Sequence, residues 1–307
     1  MSRSTPPLAS RGPRASAPPF PRWAPWAFTA PFLILFLLFT LWPLAQSLLL
    51  SFQQTFGPKS TAFVGWSNFR FLLHDPLFWQ ALRNTALYTV GAVFVQLPVA
   101  LGLALLLNHP AVRGRAIFRL IFFAPSLVGL VFVGIMFAQI FQKRTGLLNA
   151  GLHALLPSWD PEFAWLDEHV MPSLLLASVW LYAGFNMIYF LAALQNVNRE
   201  LLDAAQLDGA GPWARFRHIV LPEIRPVAAF VVLLSVIGSF QLFELPWVLL
   251  DNSAGPANRG LTVVMYLYQT GFLVGDLGYA SAIGWLLGLL LVGAAIAQMR
   301  LNRREEN

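Results

Sequence analysis

Apolar residues along this chain fall into six long runs, and polar residues collect between them. The runs cover residues 26–52, 84–108, 117–141, 170–195, 226–250 and 278–299; four carry no charge, and the other two carry only Arg119 and Glu244. About 20 apolar residues in a helix cross the hydrocarbon layer, so each run predicts a membrane span. Helix is expected over strand because the runs are apolar on all sides, without the in-out alternation of a membrane barrel. The fold class predicted is an all-α membrane protein with six transmembrane helices. Residues 1–25, rich in Pro, Ser and Arg, predict a disordered basic tail. Residues 26–300 form the six-span domain, and 301–307 a second short tail.

Composition narrows the picture. With 57% hydrophobic and 11% charged residues, the chain is too apolar for an ordinary soluble core. The absence of Cys excludes disulfides, thiolate catalysis and Cys-based metal sites. The first run is too long for the apolar region of a signal peptide and has no small-x-small cleavage site at its end, so it is expected to be a retained span. Counting Lys and Arg near the span ends puts 14 of the 20 on one side, among them Arg113, Arg115, Arg119, Arg199, Arg215 and Arg300. The positive-inside bias makes that side cytoplasmic, with both termini on it. Anionic lipid accounts for the net charge of +6, so membrane lipid is an expected partner and nucleic acid is not.

One connection stands out. Between the fourth and fifth runs, residues 199–225 hold eight charged side chains and the sequence "LLDAAQLDGAGPWARFRHIVLP". Asn198 is placed to cap a helix whose first turn carries Glu200 and Asp203, favourable at the positive end of the helix dipole. Helix continues through Ala204, Ala205 and Leu207, Gly209 and Gly211 loosen its end, and Pro212 suits the first turn of a second helix. Each charge costs roughly 2.5 to 3.5 kcal/mol in hydrocarbon, so this helix-turn-helix lies outside the membrane. The small surface of Ala204, Ala205, Gly209 and Ala210 suits close approach by a partner. The residues alone leave open a docking surface or an amphipathic loop on headgroups.

The segment resembles the cytoplasmic coupling motif of ATP-binding-cassette importer permeases. That motif reads Glu-Ala-Ala, a Gly four residues after the last Ala, and Ile-x-Leu-Pro ten residues beyond the Gly. Here Asp203-Ala204-Ala205 is followed by Asp208-Gly209 and by Ile219-Val220-Leu221-Pro222. Asp203 departs from the usual Glu, shortening by one methylene an acid that the resemblance pairs with the ATPase. Further stretches are similar to the maltose-type sugar permease branch: "FVGWSNFRFLL" at 63–73, Arg83-Asn84-Thr85, and "WLYAGFNMIYFLAALQNVNRELLDAA" at 180–205. The turn Leu250-Asp251-Asn252-Ser253-Ala254-Gly255-Pro256 departs from the family's Gly-rich one, which bears on substrate choice. The resemblance spans residues 26–300. It implies a permease subunit of the bacterial cytoplasmic (inner) membrane with a coupling helix between spans four and five. It also implies two ATPase subunits, a second homologous permease, and an extracytoplasmic solute-binding protein delivering substrate near residues 53–83 and 251–277. The implied mechanism is alternating access.

Polar groups inside the spans are candidates for the substrate pathway. Glu244 is an ionisable residue well inside an apolar run, and Gln241 lies three residues earlier, on the same helix face. Tyr182 and Asn186 form a second polar patch one turn apart in the fourth span. Such neutral donors and acceptors suit a polyhydroxylated ligand; for any one of them helix–helix hydrogen bonding is the alternative.

Other functions lack their residues. A phosphate-binding loop needs Gly-Lys-Ser/Thr, yet Lys59 and Lys143 follow Pro58 and Gln142, so no cofactor is expected in this chain and ATP hydrolysis belongs to another subunit. His74, His109, His153, His169 and His218 lie in connections or at span ends, and neither His-Glu-x-x-His nor Gly-x-Ser-x-Gly occurs. That argues against an intramembrane enzyme or a metal site. An ion-coupled secondary transporter would carry several intramembrane carboxylates or a His relay. A related importer of glycerol 3-phosphate or another polyol compound is the nearer alternative, although no Lys or Arg lies mid-span to favour an anion. The expected substrate is a mono- or oligosaccharide.

Overall fold

The computed structural model describes residues 23–55 and 61–305. The tail expected over 1–25 lies outside the described residues except at its last three positions, where helix α1 already begins. The chain divides into two compact units, one ending at Leu49 and the other starting at Leu50. In the first, α1 (Ala24–Leu50) is one apolar helix long enough to cross a membrane.

The second unit opens with a two-stranded antiparallel hairpin, β1 (Gln53–Thr55) and β2 (Thr61–Phe63), Gln53 standing opposite Phe63. Then follow α2 (Ser67–His74) and α3 (Pro76–Asn108). Asp75 caps α3 by accepting a 2.9 Å hydrogen bond from the Leu77 N–H, and Pro76 occupies a first-turn position where its missing N–H costs nothing. The chain continues as α4 (Arg115–Leu127), α5 (Leu130–Ile140), α6 (Leu147–Leu155), α7 (Val170–Gln195) and α8 (Arg199–Leu207). It ends with α9 (Pro212–Phe240), α10 (Glu244–Leu249), α11 (Val263–Val274) and α12 (Leu277–Glu305). The last short tail, expected from 301, is therefore helical through Glu305.

Five of these helices are long and apolar enough to span: α1, α3, α7, α9 and α12. The bent pair α4–α5 takes the place of a sixth. The run at 117–141 is thus not one straight helix but turns by 97° between Leu127 and Leu130. Pro125 opens a tight 3₁₀ turn there, and Val128 and Gly129 are extended (ψ 134° and 141°), so the ladder of helical hydrogen bonds stops.

Helix α7 is the hub. It carries no charge over 26 residues and is buried along much of its length, packing against the second half of α3, against α4 and against α9. A helix apolar on every side belongs in such a position. One apolar cluster gathers Leu174, Ala177 and Leu181 of α7 with Phe137 of α5 and Leu245 of α10. A second joins Leu194 of α7 to Leu107 of α3 and Ile224 of α9. A third, with no residue from α7, holds Leu72, Phe78, Met265 and Ile283. Gly184 sets the approach of α4: a Cβ there would sit 1.7 Å from the Phe122 carbonyl oxygen, so only a hydrogen atom fits.

Three helices accommodate proline without breaking. The turns Leu37–Leu41, Ala92–Gln96 and Phe216–Val220 are widened, so that the N–H of the next residue (Trp42, Leu97, Leu221) reaches back five residues. In each case the residue after that donor is proline: Pro43, Pro98 and Pro222. A proline ring collides with the carbonyl four residues back and supplies no N–H; the widened turn gives it room while the helix continues.

Gly184→Leu is expected to prevent stable packing of α4 on α7, and Gly184→Ala to cost about 1–3 kcal/mol, the usual range for overpacking. Thermal unfolding of detergent-solubilised variants checks this; an unchanged midpoint for Gly184→Ala would show that α4 is free to move away.

Candidate functional site

Two features converge on function: a cavity among the spans, and an exposed helix–turn–helix at one end of them. The cavity, of about 510 Å³, is walled by α3, α7 and α9 and by the segment joining α9 to α10. That volume is within the range of small-ligand sites, about 300–1,000 Å³.

All four residues expected along the pathway line it: Tyr182, Asn186, Gln241 and Glu244. The reason differs from the one expected for the last two. The fifth run is not a continuous helix to residue 250. Helix α9 starts earlier, at Pro212, and ends at Phe240, with Gln241 as its C-terminal cap; Phe243 is extended in φ (−141°) and Glu244 begins α10. Gln241 and Glu244 therefore do not share one helix face. They meet because both flank the short non-helical turn between α9 and α10, which lines the cavity wall. Glu244 makes no ion pair among the described residues and lies close enough to Tyr182 to interact electrostatically with it.

A relay of hydrogen bonds fixes this turn. Asn84 donates to the carbonyls of Asn258 and Leu261 (2.9 and 3.0 Å), and the Thr85 hydroxyl accepts from the Val263 N–H (3.1 Å). The loop so held presents Thr262, whose hydroxyl donates to the Leu242 carbonyl at 2.7 Å inside the break between α9 and α10. The Arg-Asn-Thr motif is thus tied to the cavity wall through two buried hydrogen-bonding steps. Asn68, from the Gly-x-x-Asn-Phe stretch, does similar work on the hairpin, donating to Ser51 and Gln53 carbonyls (2.9 and 2.8 Å).

Sequence reasoning did not single out Gln96, Tyr88, Ser235 or Ser239, which also line the cavity. The signal was the one used for Asn186. Gln96 is an isolated polar residue in the run 84–108, and the two serines are four apart in the run 226–250. Among the described residues no Lys or Arg reaches this cavity.

At the other feature, Asn198 caps α8 by accepting from the Glu200 N–H at 2.9 Å, as expected. The end of α8 is closed, not loosened, by glycine. Gly209 adopts φ +82°, its N–H donates to the Gln206 carbonyl (3.1 Å), and the Ala210 N–H reaches the Ala205 carbonyl (2.9 Å). This pair of bonds is the Schellman closure, and it explains why a glycine stands four residues after Ala205. Asp203, Ala204 and Asp208 are exposed, and Ala205 is half-buried. Arg215 donates to the Gln206 side chain at 2.8 Å, tying the start of α9 back to α8. Ile219 packs with Leu202 of α8 on the cluster containing Leu194 and Val197, so the two halves of the motif meet on one core. Leu221 and Pro222 remain exposed beyond it. Leu207 and Trp213, 89% and 70% exposed, project from the turn.

Comparison with known proteins agrees with this arrangement. The family described as "Binding-protein-dependent transport system inner membrane component" matches residues 96–306. The chain is 40% identical to the arabinooligosaccharides transport system permease protein AraP of Bacillus subtilis, over 91% of this chain and 88% of that one. It is 34% identical to the lactose transport system permease protein LacF of Rhizobium radiobacter, over 92% and 94%. It is 32% identical to the sn-glycerol-3-phosphate transport system permease protein UgpA of Yersinia enterocolitica, over 92% and 95%. In fold it is similar to a chain of a bacterial ABC transporter involved in the import of the acidic polysaccharide alginate, with a TM-score of 0.80 at 24% identity, covering 92% of this chain and 96% of that one. The chain belongs to the family of inner-membrane components of binding-protein-dependent transport systems.

Proposed function

We propose that this chain is a permease subunit of an ATP-driven sugar importer, translocating a mono- or oligosaccharide by alternating access. The observation that carries this reading is the convergence of Tyr182, Asn186, Gln241 and Glu244 on one cavity in a chain whose relatives include arabinooligosaccharide and lactose permeases. Hydroxyl-rich ligands need neutral donors and acceptors, with aromatic faces against the apolar side of the ring. Tyr182 and Phe185 supply the latter. A glycerol phosphate carrier remains the second reading because of the UgpA relative. Among the described residues Glu244 is the one carboxylate lining the cavity, and no Lys or Arg lines it, which disfavours this reading, since an anion would meet a like charge there.

The coupling surface is the exposed turn. Asp203, Ala204, Ala205, Asp208 and Gly209, with Ile219, Leu221 and Pro222, form the ATPase-docking region, and Leu207 and Trp213 offer the apolar area that a stable contact needs. ATP-driven closure of two ATPase subunits would push α8. The push passes through Leu202 and Ile219 to the cluster holding Phe190 and Leu194 of α7, and α7 carries Tyr182 and Asn186 into the cavity. A second homologous permease completes the pathway, and a solute-binding protein loads it from the opposite side. The charge bias supports a cytoplasmic position for α8 and both termini, in the inner membrane of a bacterium.

The test is ATP-dependent uptake by proteoliposomes containing this chain, its partner permease, ATPase and binding protein, with labelled arabino-oligosaccharide, lactose and sn-glycerol 3-phosphate. Gly209→Ala bears the strain of positive φ alone, about 1–2 kcal/mol, whereas Gly209→Trp adds bulk pointing into open space. Sugar uptake is expected in wild type, largely kept in Gly209→Ala and lost in Gly209→Trp. Full uptake by Gly209→Trp would rule out docking at α8, and uptake of glycerol phosphate alone would overturn the sugar reading.

A further inference from the structure

Gln96 is a residue of the cavity that the described residues leave unsatisfied. It is 4% exposed and lines the cavity, and its Oε1 is buried with no hydrogen-bond partner among the described residues. A buried acceptor without a donor costs about 1–3 kcal/mol. A leucine of similar size would fill the place without that cost, so stability does not account for a carboxamide here.

The backbone points the same way. Tyr88, Ala92 and Gln96 all line the cavity at four-residue intervals. In a regular helix of 3.6 residues per turn, such positions drift by about 40° at each step, which would carry Gln96 off the wall. The widened turn Ala92–Gln96, closed by the Leu97 N–H on the Ala92 carbonyl, takes up that drift. Pro98, one residue beyond the donor, holds the turn in this form. Helix α3 therefore departs from regular geometry at the place where doing so keeps on the cavity wall the residue that carries an unpartnered acceptor.

We propose that Gln96 is a selectivity residue, accepting a hydrogen bond from one substrate hydroxyl and so discriminating against ligands that lack a donor at that position. This inference rests on the sugar reading above. The terminal torsion of Gln is soft, so the carboxamide turns towards an incoming hydroxyl at little cost. A site built to bond a hydroxyl rejects the analogue that lacks it, because its own polar group is then left unpaired.

The test uses the assembled transporter in proteoliposomes, measuring KM and kcat of uptake for an arabino-disaccharide and a set of its monodeoxy analogues. In wild type, one analogue should show a KM raised roughly tenfold, the change that one such hydrogen bond implies. Gln96→Leu should raise the KM of the parent sugar by a similar factor and abolish discrimination against that one analogue. The two changes should not add, as for groups that contact each other. Gln96→Glu, which keeps an acceptor of the same length, should retain the discrimination, and Gln96→Met serves if the leucine variant fails to insert. Unchanged KM and unchanged discrimination in Gln96→Leu or Gln96→Met would overturn the inference and leave the sugar reading standing. Absence of sugar uptake by the wild-type transporter would overturn that reading, and this inference with it.

Discussion

Inside a bilayer every backbone N–H and C=O has to be satisfied by the protein itself, and this fold is organised around where that requirement is relaxed. Two kinds of departure occur. At Pro43, Pro98 and Pro222 the helix survives by widening one turn, so the hydrogen-bond ladder shifts by a residue and carries on. At residues 128–129 and 241–243 the helix stops altogether. The second of these breaks lines the cavity, the setting in which irregular backbone at membrane depth is tolerated. There the Leu242 carbonyl is satisfied by the Thr262 hydroxyl. One wall of the cavity is thus built where the chain stops being helical and a side-chain hydrogen bond takes over from the ladder.

The motif residues acquire physical meaning in the same terms. Gly209 is required by a left-handed closure of α8, and Ala205 supplies the carbonyl that the closure uses. Asn84 and Thr85 hold a loop, and through it the broken segment. Asn68 holds the hairpin carbonyls. None of these needs to touch a ligand to matter, because each fixes backbone that would otherwise be free to choose among conformations. Gly184 acts differently, by its lack of a side chain, allowing α4 to lie against the hub helix.

Much of this was legible in the sequence. Span order, the cap at Asn198, the exposed charged connection and the grouping of Tyr182 with Asn186 all follow from local chemistry. What escaped was the geometry inside apolar runs. Hydrophobicity reports burial in lipid, and it is indifferent to whether residues 117–141 go straight or turn by 97°. The clue was local: Pro125 and Gly129 flank the bend. The end of α9 was hidden in the same way, since Leu242, Phe243 and Leu245 read as more of the same span. Gln241 and Glu244 were rightly placed together, for a reason that the structure replaces. The start of a helix at Pro212 was legible, but not its continuity with the fifth span: the charged residues 215–225 are helical, yet too polar to read as part of an apolar run. Gln96 was passed over because one amide in a long apolar run carries little weight until its lack of a partner is visible.

In the proposed transport cycle the cavity beside Asn186 changes sides in response to the surface formed by α8. Because the chain contains no cysteine, Asn186→Cys introduces a single thiol in this subunit, whose reaction with a membrane-impermeant thiol reagent can be timed from either face of the membrane. In the assembled transporter, trapping the ATPases with ATP should slow labelling from the α8 side and speed it from the other, and bound sugar should protect the thiol from both. Labelling rates indifferent to nucleotide and to sugar would contradict the claim.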